Sequence, residues 1–107
     1  MKLVQCIIRR EKIQDVVDKL ETVVSGMTVA DARGCGREKA KVAVYRGAHY
    51  QLELLPKVMI EVVTDDNKVD DLVKILSEAA HTGEIGDGRI FVVDVGETYH
   101  IRTGFRD

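Results

Sequence analysis

The chain has 107 residues, enough for one domain with a single core, and at that size partner subunits add useful burial. Hydrophobic residues make up 45% and charged residues 32%, with one proline and no low-complexity run, which excludes a disordered or fibrous chain. The formal charge of −2 excludes broad attraction to nucleic acid or to an anionic membrane, so any anion site has to be built locally.

The N-terminal "MKLVQCIIRREK" has neither the apolar core nor the cleavage site of a secretory signal, and no run approaches the roughly 20 apolar residues that span a bilayer. The expectation is a cytoplasmic protein, a single domain over residues 1–107, without direct membrane insertion. Leu3 to Ile8 is an apolar, β-branched run that predicts a strand. From Ile13 the apolar residues Ile13, Val16, Val17, Leu20 and Val24 follow helical spacing, and Ser25-Gly26 ends the helix. Met27 to Arg33 alternates as a second strand, closed by "GCG" at Gly34 to Gly36. After a gap, Val58 to Val63 predicts another strand and Asp65-Asp66-Asn67 offers N-cap residues. The second helix carries Val69, Leu72, Val73, Leu76, Ala79 and Ala80, and a last strand runs from Ile90 to Val95.

The order β-α-β, gap, β-α-β is the split βαβ plan: an α+β, ferredoxin-like fold with both helices on one face of a four-stranded antiparallel sheet. Alternation assigns Val4, Cys6, Ile8, Val58, Ile60, Val62, Phe91, Val93 and Val95 to the helix side. Leu3, Gln5, Ile7, Met59, Glu61, Val63, Ile90, Val92 and Asp94 then form the other face, too apolar to stand in water, which predicts a closed homo-oligomer. Cys6 reads as a buried small hydrophobe. Cys35, between two glycines, is the more accessible thiol, and neither has ligand-spaced neighbours that would make a metal site.

The gap, "REKAKVAVYRGAHYQLELL", is far longer than a hairpin needs. It reads either as an extended hairpin continuing the sheet, with Gly47 near its tip, or as an arm that orders on a partner through Tyr45, Arg46, His49 and Tyr50. "TGEIGDGR" at Thr82 to Arg89 places three glycines between the second helix and the last strand. Taken alone it fits a helix cap with a turn; three glycines over six residues also allow an anion cradle of backbone N–H groups beside Arg89. "GCGR" at Gly34 to Arg37 offers a similar approach, and Lys57 and Arg102 stand at or near strand ends. Neither common phosphate fingerprint is present.

The segments "GMTV" at Gly26 to Val29, "GCGR" at Gly34 to Arg37, "YRGAHY" at Tyr45 to Tyr50, "LPKV" at Leu55 to Val58, "TGEIGDGRIFV" at Thr82 to Val92 and "IRTG" at Ile101 to Gly104 resemble the PII signal-transduction family, in order and across nearly the whole chain. The resemblance implies a homotrimer of ferredoxin-like subunits that binds ATP or ADP in its inter-subunit clefts. It further implies that residues 37–54 are the T-loop, which acts on a membrane transporter or metabolic enzyme, with nitrogen regulation as the setting. Ile7, Gly26, Met27, Thr28 and Val63 correspond to the adenine and ribose end. Gly34, Gly36, Arg37, Gly86, Asp87, Gly88, Arg89 and Arg102 correspond to the ribose and phosphate end, with Lys57 beside the T-loop base. Tyr50 matches the tyrosine that is uridylylated or adenylylated in some members, and is a modification site only where a modifying enzyme exists.

Four departures mark a divergent member. Glu38 stands where the family carries a glutamine that helps hold Mg2+ and 2-oxoglutarate; a carboxylate can still bind the metal, but like charges about 4 Å apart cost on the order of 1 to 4 kcal/mol and disfavour the small dianion. Ala40 replaces an expected glycine in the same turn. His100 replaces a phosphate-binding arginine, either as surface drift or as a group that makes affinity depend on pH. "RREK" also replaces the usual stretch before the first helix. The leading expectation is a non-enzymatic adenine-nucleotide sensor. The alternatives are a sensor of AMP, bicarbonate or a metal ion through Glu38, His49 and His100, and slow ATP hydrolysis with Glu38 as base.

Overall fold

The computed structural model describes residues 1–35, 44–45, 48–49 and 54–106. Four strands form one antiparallel sheet: β1 (Lys2–Arg9), β2 (Thr28–Gly34), β5 (Leu55–Thr64) and β6 (Gly88–Asp94), in the order β2-β5-β1-β6. Helices α1 (Ile13–Leu20) and α2 (Val69–Ala80) are the crossovers of the two halves, so the ferredoxin-like α+β plan read from the sequence is the observed one. Among the described residues, no helix is long and apolar enough to cross a membrane.

The core is one-sided. Val4, Cys6 and Ile8 of β1 and Val58, Ile60 and Val62 of β5 are buried against Val16 and Leu20 of α1 and Leu72, Leu76 and Ala80 of α2. Each buried valine, leucine and isoleucine side chain contributes roughly 1.5 to 3 kcal/mol by leaving water. α1 is shorter than its apolar spacing predicts, ending at Leu20. The amides of Val23 and Val24 nevertheless donate to the Leu20 carbonyl, so the chain keeps turning and Val24 still packs on the core. Before α2, Asp65-Asp66-Asn67 does not cap the helix with a side chain. Asp66–Lys68 is a 3-10 turn, and the Asp66 carboxylate pairs with the amino terminus of Met1 at 2.6 Å, which holds it below the usual carboxylate range. Pro56 falls within β5 one residue beyond its last β1 partner, Lys57↔Arg9, so its missing N–H interrupts no β1–β5 pairing.

The β6 register corrects the face assigned to that strand. Ile90 stands opposite Cys6 and Val92 opposite Val4, which puts both on the helix side; Phe91 stands opposite Gln5 and Val93 opposite Leu3, on the open side. With Ile90 to Val93 all apolar, alternation carries no information there, and pairing with β1 decides the face. The open face therefore carries Leu3, Ile7 and Met59, half-buried, with Val63, Phe91 and Val93 exposed by 49, 41 and 48%. At its centre Gln5 donates to Glu61 at 2.7 Å.

Part of the long connection is described. β3 (Val44–Tyr45) pairs antiparallel with β4 (Ala48–His49) as a two-stranded sheet which, among the described residues, does not join the main sheet as the extended-hairpin reading had it. The other residues singled out in this connection, Gly36, Arg37, Glu38, Ala40, Arg46, Gly47 and Tyr50, lie outside the described residues.

Burial separates the two thiols. Cys6 lies under the helices, where loss of solvation pushes its thiol up to about 11, while Cys35 is exposed at the end of β2. A thiol reagent at neutral pH is expected to modify Cys35 within minutes and Cys6 only after denaturant is added; mass mapping that finds Cys6 labelled in the folded chain would contradict this core.

Candidate ligand-binding site

One end of the sheet collects the C-terminus of β1, the end of β2, the start of β5 and the start of β6. There Ile8 faces Gly88, Ile7 faces Arg89, Arg9 faces Lys57, and Gly34 faces Leu55. Ile7, Gly34, Lys57, Gly86, Asp87, Gly88 and Arg89 are thus brought to one edge. The segment carrying Gly36, Arg37 and Glu38 leaves from this edge after Cys35 and returns to it at Leu54.

The glycine-rich loop is folded around its own acid. The Asp87 carboxylate accepts from the Thr82 hydroxyl, from the Thr82 amide at 2.8 Å and from the Gly83 amide at 2.9 Å. It also accepts from Arg9 Nε at 3.1 Å. The Thr82 hydroxyl, those two amides and Arg9 hold the Asp87 carboxyl far below the usual carboxylate range, against the opposing push of its partial burial. Arg9 also donates through a terminal nitrogen to the Ile85 carbonyl at 2.8 Å, and Lys57 Nζ donates to the Gly86 carbonyl at 3.1 Å. Gly83, Gly86 and Gly88 all have positive φ, a backbone shape that side chains oppose. Gly88 meets a second demand, because a Cβ there would lie 1.7 Å from the Ile7 carbonyl oxygen.

This loop fits an anionic group such as a phosphate chain. Its carbonyls at Ile85 and Gly86 are turned to the cations of the sheet, while among the described residues the amides of Ile85 and Gly86 have no hydrogen-bond partner. Arg89 is exposed beside them and forms no ion pair among the described residues. The sequence reading missed Arg9, whose signal was available: a cation ending β1 beside the predicted lysine position.

The other expected residues lie elsewhere. Gly26, Met27 and Thr28 enter β2 and Val63 leaves β5 at the opposite end of the sheet, where Gly26 and Val63 help line a shallow cavity of about 170 Å³. Met27 packs on the core. His100 and Arg102 follow β6 at that same end, where Val95 donates to the Met1 carbonyl at 3.2 Å. They sit on a tight hairpin closed by the Tyr99↔Arg106 bridge, with the Gly104 amide on the His100 carbonyl at 2.7 Å and the His100 amide on the Phe105 carbonyl at 3.0 Å. The hairpin is open to solvent, with Ile101 fully and Phe105 three-quarters exposed. Six residue steps of β1 separate the two ends, roughly 20 Å at strand rise.

A family model described as nitrogen regulatory protein P-II matches residues 1–105. The nitrogen regulatory protein P-II of Pasteurella multocida is 47% identical over 105 residues, covering 97% of this chain and 94% of that protein. The nitrogen regulatory protein GlnK of Escherichia coli is 44% identical over 108 residues, covering 100% and 96%. The nitrogen regulatory protein P-II of Azospirillum brasilense is 47% identical over 105 residues, covering 97% of this chain. These relatives are named as regulatory proteins and not as enzymes. With the ferredoxin-like sheet, the glycine-rich loop at its edge and a match along nearly the whole length, the chain belongs to the nitrogen regulatory protein P-II family.

Proposed function

We propose that this protein is a nitrogen-regulatory sensor of ATP and ADP that acts as a homotrimer and controls a transporter or metabolic enzyme through residues 37–54. The observation that carries the reading is the division of its candidate residues between two opposite ends of one sheet. Gly34, Lys57, Gly86, Asp87, Gly88 and Arg89 stand at one end, with Gly36 and Arg37 next in the chain, while Gly26, Met27, Thr28, Val63, His100 and Arg102 stand at the other. A ligand that uses both sets needs two protomers, with the loop of one facing the C-terminal hairpin of its neighbour. The exposed apolar sheet face supports such an assembly, since a patch of this kind is rarely left in water.

In this arrangement the loop amides and Arg89 receive phosphates, each charge-assisted hydrogen bond contributing roughly 1.5 to 3 kcal/mol. Asp87 acts by shaping the loop. Lys57 and Gly34 link that edge to both ends of the 36–53 segment, so nucleotides that differ in phosphate length bias its conformation by the difference in their affinities for each form. Glu38 is the proposed Mg2+ contact and the reason 2-oxoglutarate is disfavoured.

Titration calorimetry with ATP, ADP and AMP, each with and without Mg2+ and 2-oxoglutarate, tests the reading. Saturable binding of ATP and ADP, weakening as phosphates are removed and little changed by 2-oxoglutarate, is the expected result. Lack of any nucleotide binding removes the proposal, and strong synergy between MgATP and 2-oxoglutarate removes the role given to Glu38.

A further inference from the structure

Arg9 reaches two different acceptors of the glycine-rich loop. Its Nε donates to the Asp87 carboxylate at 3.1 Å and a terminal nitrogen donates to the Ile85 carbonyl at 2.8 Å. Its side chain is mostly covered, at 17% exposure, and so is that of Asp87, at 24%. The two contacts sit on either side of Gly86, whose own carbonyl is taken by Lys57 at 3.1 Å. Three consecutive residues of the loop, Ile85 to Asp87, are therefore each tied to the end of the β1–β5 ladder.

We propose that Arg9 is a positioning residue for the phosphate site: its planar fork fixes the loop so that the amides of Ile85 and Gly86 stand ready for an anion. This deepens the nucleotide reading and rests on it. The physical need is clear from the loop itself. Gly83, Gly86 and Gly88 leave the backbone with more freedom than any other residue type would, and that freedom has to be lost before consecutive amides can meet one ligand. Thr82 and Gly83 tie the loop only to itself through Asp87, which fixes its curl but not its place on the sheet. The ties from β1 and β5 supply the place. A guanidinium suits the task because its donors diverge in a rigid fork, whereas an ammonium offers one compact centre.

The mechanism makes Arg9 act without touching ligand. In a chain lacking it, the binding-ready loop is only a fraction of the population, and apparent affinity falls by that fraction. The loss concerns the phosphates, since Arg9 stands at the loop end of β1, six residues along the strand from Leu3, which faces Val63.

The test compares the full chain with Arg9→Gln, Arg9→Met and Arg9→Lys, using amide hydrogen exchange of residues 83–88 without ligand and calorimetry with ATP, ADP and adenosine. Arg9→Gln and Arg9→Met are expected to speed loop exchange by on the order of 10-fold or more, with exchange of β1 and β5 amides unchanged, and to weaken ATP by about 10- to 100-fold while adenosine changes little. Arg9→Lys recovers part of both, because it still reaches one acceptor. Loop exchange equal to wild type in all three variants overturns the proposal, as does faster exchange with ATP affinity unchanged, or an equal loss for adenosine and ATP. If the wild-type chain binds no nucleotide, the function reading fails by itself, and the exchange comparison still decides whether Arg9 places the loop.

Discussion

Replacing Gly88 by alanine is expected to destabilise the protein more than the same change at Gly26, Gly34, Gly83, Gly96 or Gly104. Gly88 combines φ of +112° with a position in the β1–β6 ladder opposite Ile8, and an added Cβ would lie 1.7 Å from the Ile7 carbonyl oxygen and 2.8 Å from its carbon. Both neighbours are backbone, so no side chain can move aside. Left-handed strain alone costs on the order of 1 to 3 kcal/mol, and separating the strands adds the loss of ladder hydrogen bonds, for a total of roughly 3 to 5 kcal/mol. At ~4 to 8 °C per kcal/mol for a domain of about this size, the melting temperature should fall by about 12 °C or more. Gly83→Ala is the control for strain without collision, since φ there is +89° but the nearest atoms to a new Cβ belong to the movable His81 ring at 3.7 Å. Gly26→Ala, with nothing within 4 Å, is the control for neither. Thermal unfolding that ranks Gly88→Ala level with Gly83→Ala would refute the close approach of loop and strand.

The same residue illustrates where the sequence was legible and where it was not. Glycines in "TGEIGDGR" pointed to backbone freedom, and the freedom is used, but at Gly88 it serves the contact with β1 as much as any ligand. Helix periodicity located α1 and α2 because Val16, Leu20, Leu72, Leu76 and Ala80 recur on one stripe, and the core consists of that stripe. β1 and β5 were read correctly because their alternate residues end in the same buried layer. β6 was not, because four apolar residues in a row satisfy either face, and only pairing with a neighbour far along the chain selects one. Asp65-Asp66-Asn67 next to a helix start offered cap residues, yet the Asp66 carboxylate pairs with the amino terminus, distant in sequence. Arg9 was missed for the same reason: its meaning lies in acceptors 76 and 78 residues away.

These cases share a cause. Local propensity and pattern report on a residue's own element, whereas both halves of the candidate site arise from contacts between elements. The loop edge is defined by β1, β5 and β6 meeting at one end, and the C-terminal hairpin by the return of β6 to Met1. Family resemblance supplied the residues of both sets but not their separation. That separation gives the apolar sheet face its functional weight, because the face is where copies of the chain would meet.

Introducing charge on that face is therefore expected to remove assembly and ligand binding together. Phe91 and Val93 project from the open side of β6, 41 and 48% exposed in the single chain, beside the half-buried Leu3 and Ile7. A glutamate at either position stays hydrated in a separate subunit, where a surface change of this kind costs within about 0.5 kcal/mol. Within the proposed trimer, with this face as the interface, the same carboxylate would be desolvated in each copy, at several kcal/mol each. The double variant Phe91→Glu, Val93→Glu should elute as a monomer by light scattering while keeping wild-type far-ultraviolet dichroism. Its ATP affinity should fall by at least about 100-fold, since each remaining half-site loses the contacts of the other. Lys19→Glu, an exposed change on α1, should leave both properties intact. A double variant that remains trimeric would show that the open face is not the interface, and a monomer that binds ATP as tightly as wild type would show that one subunit holds the complete site.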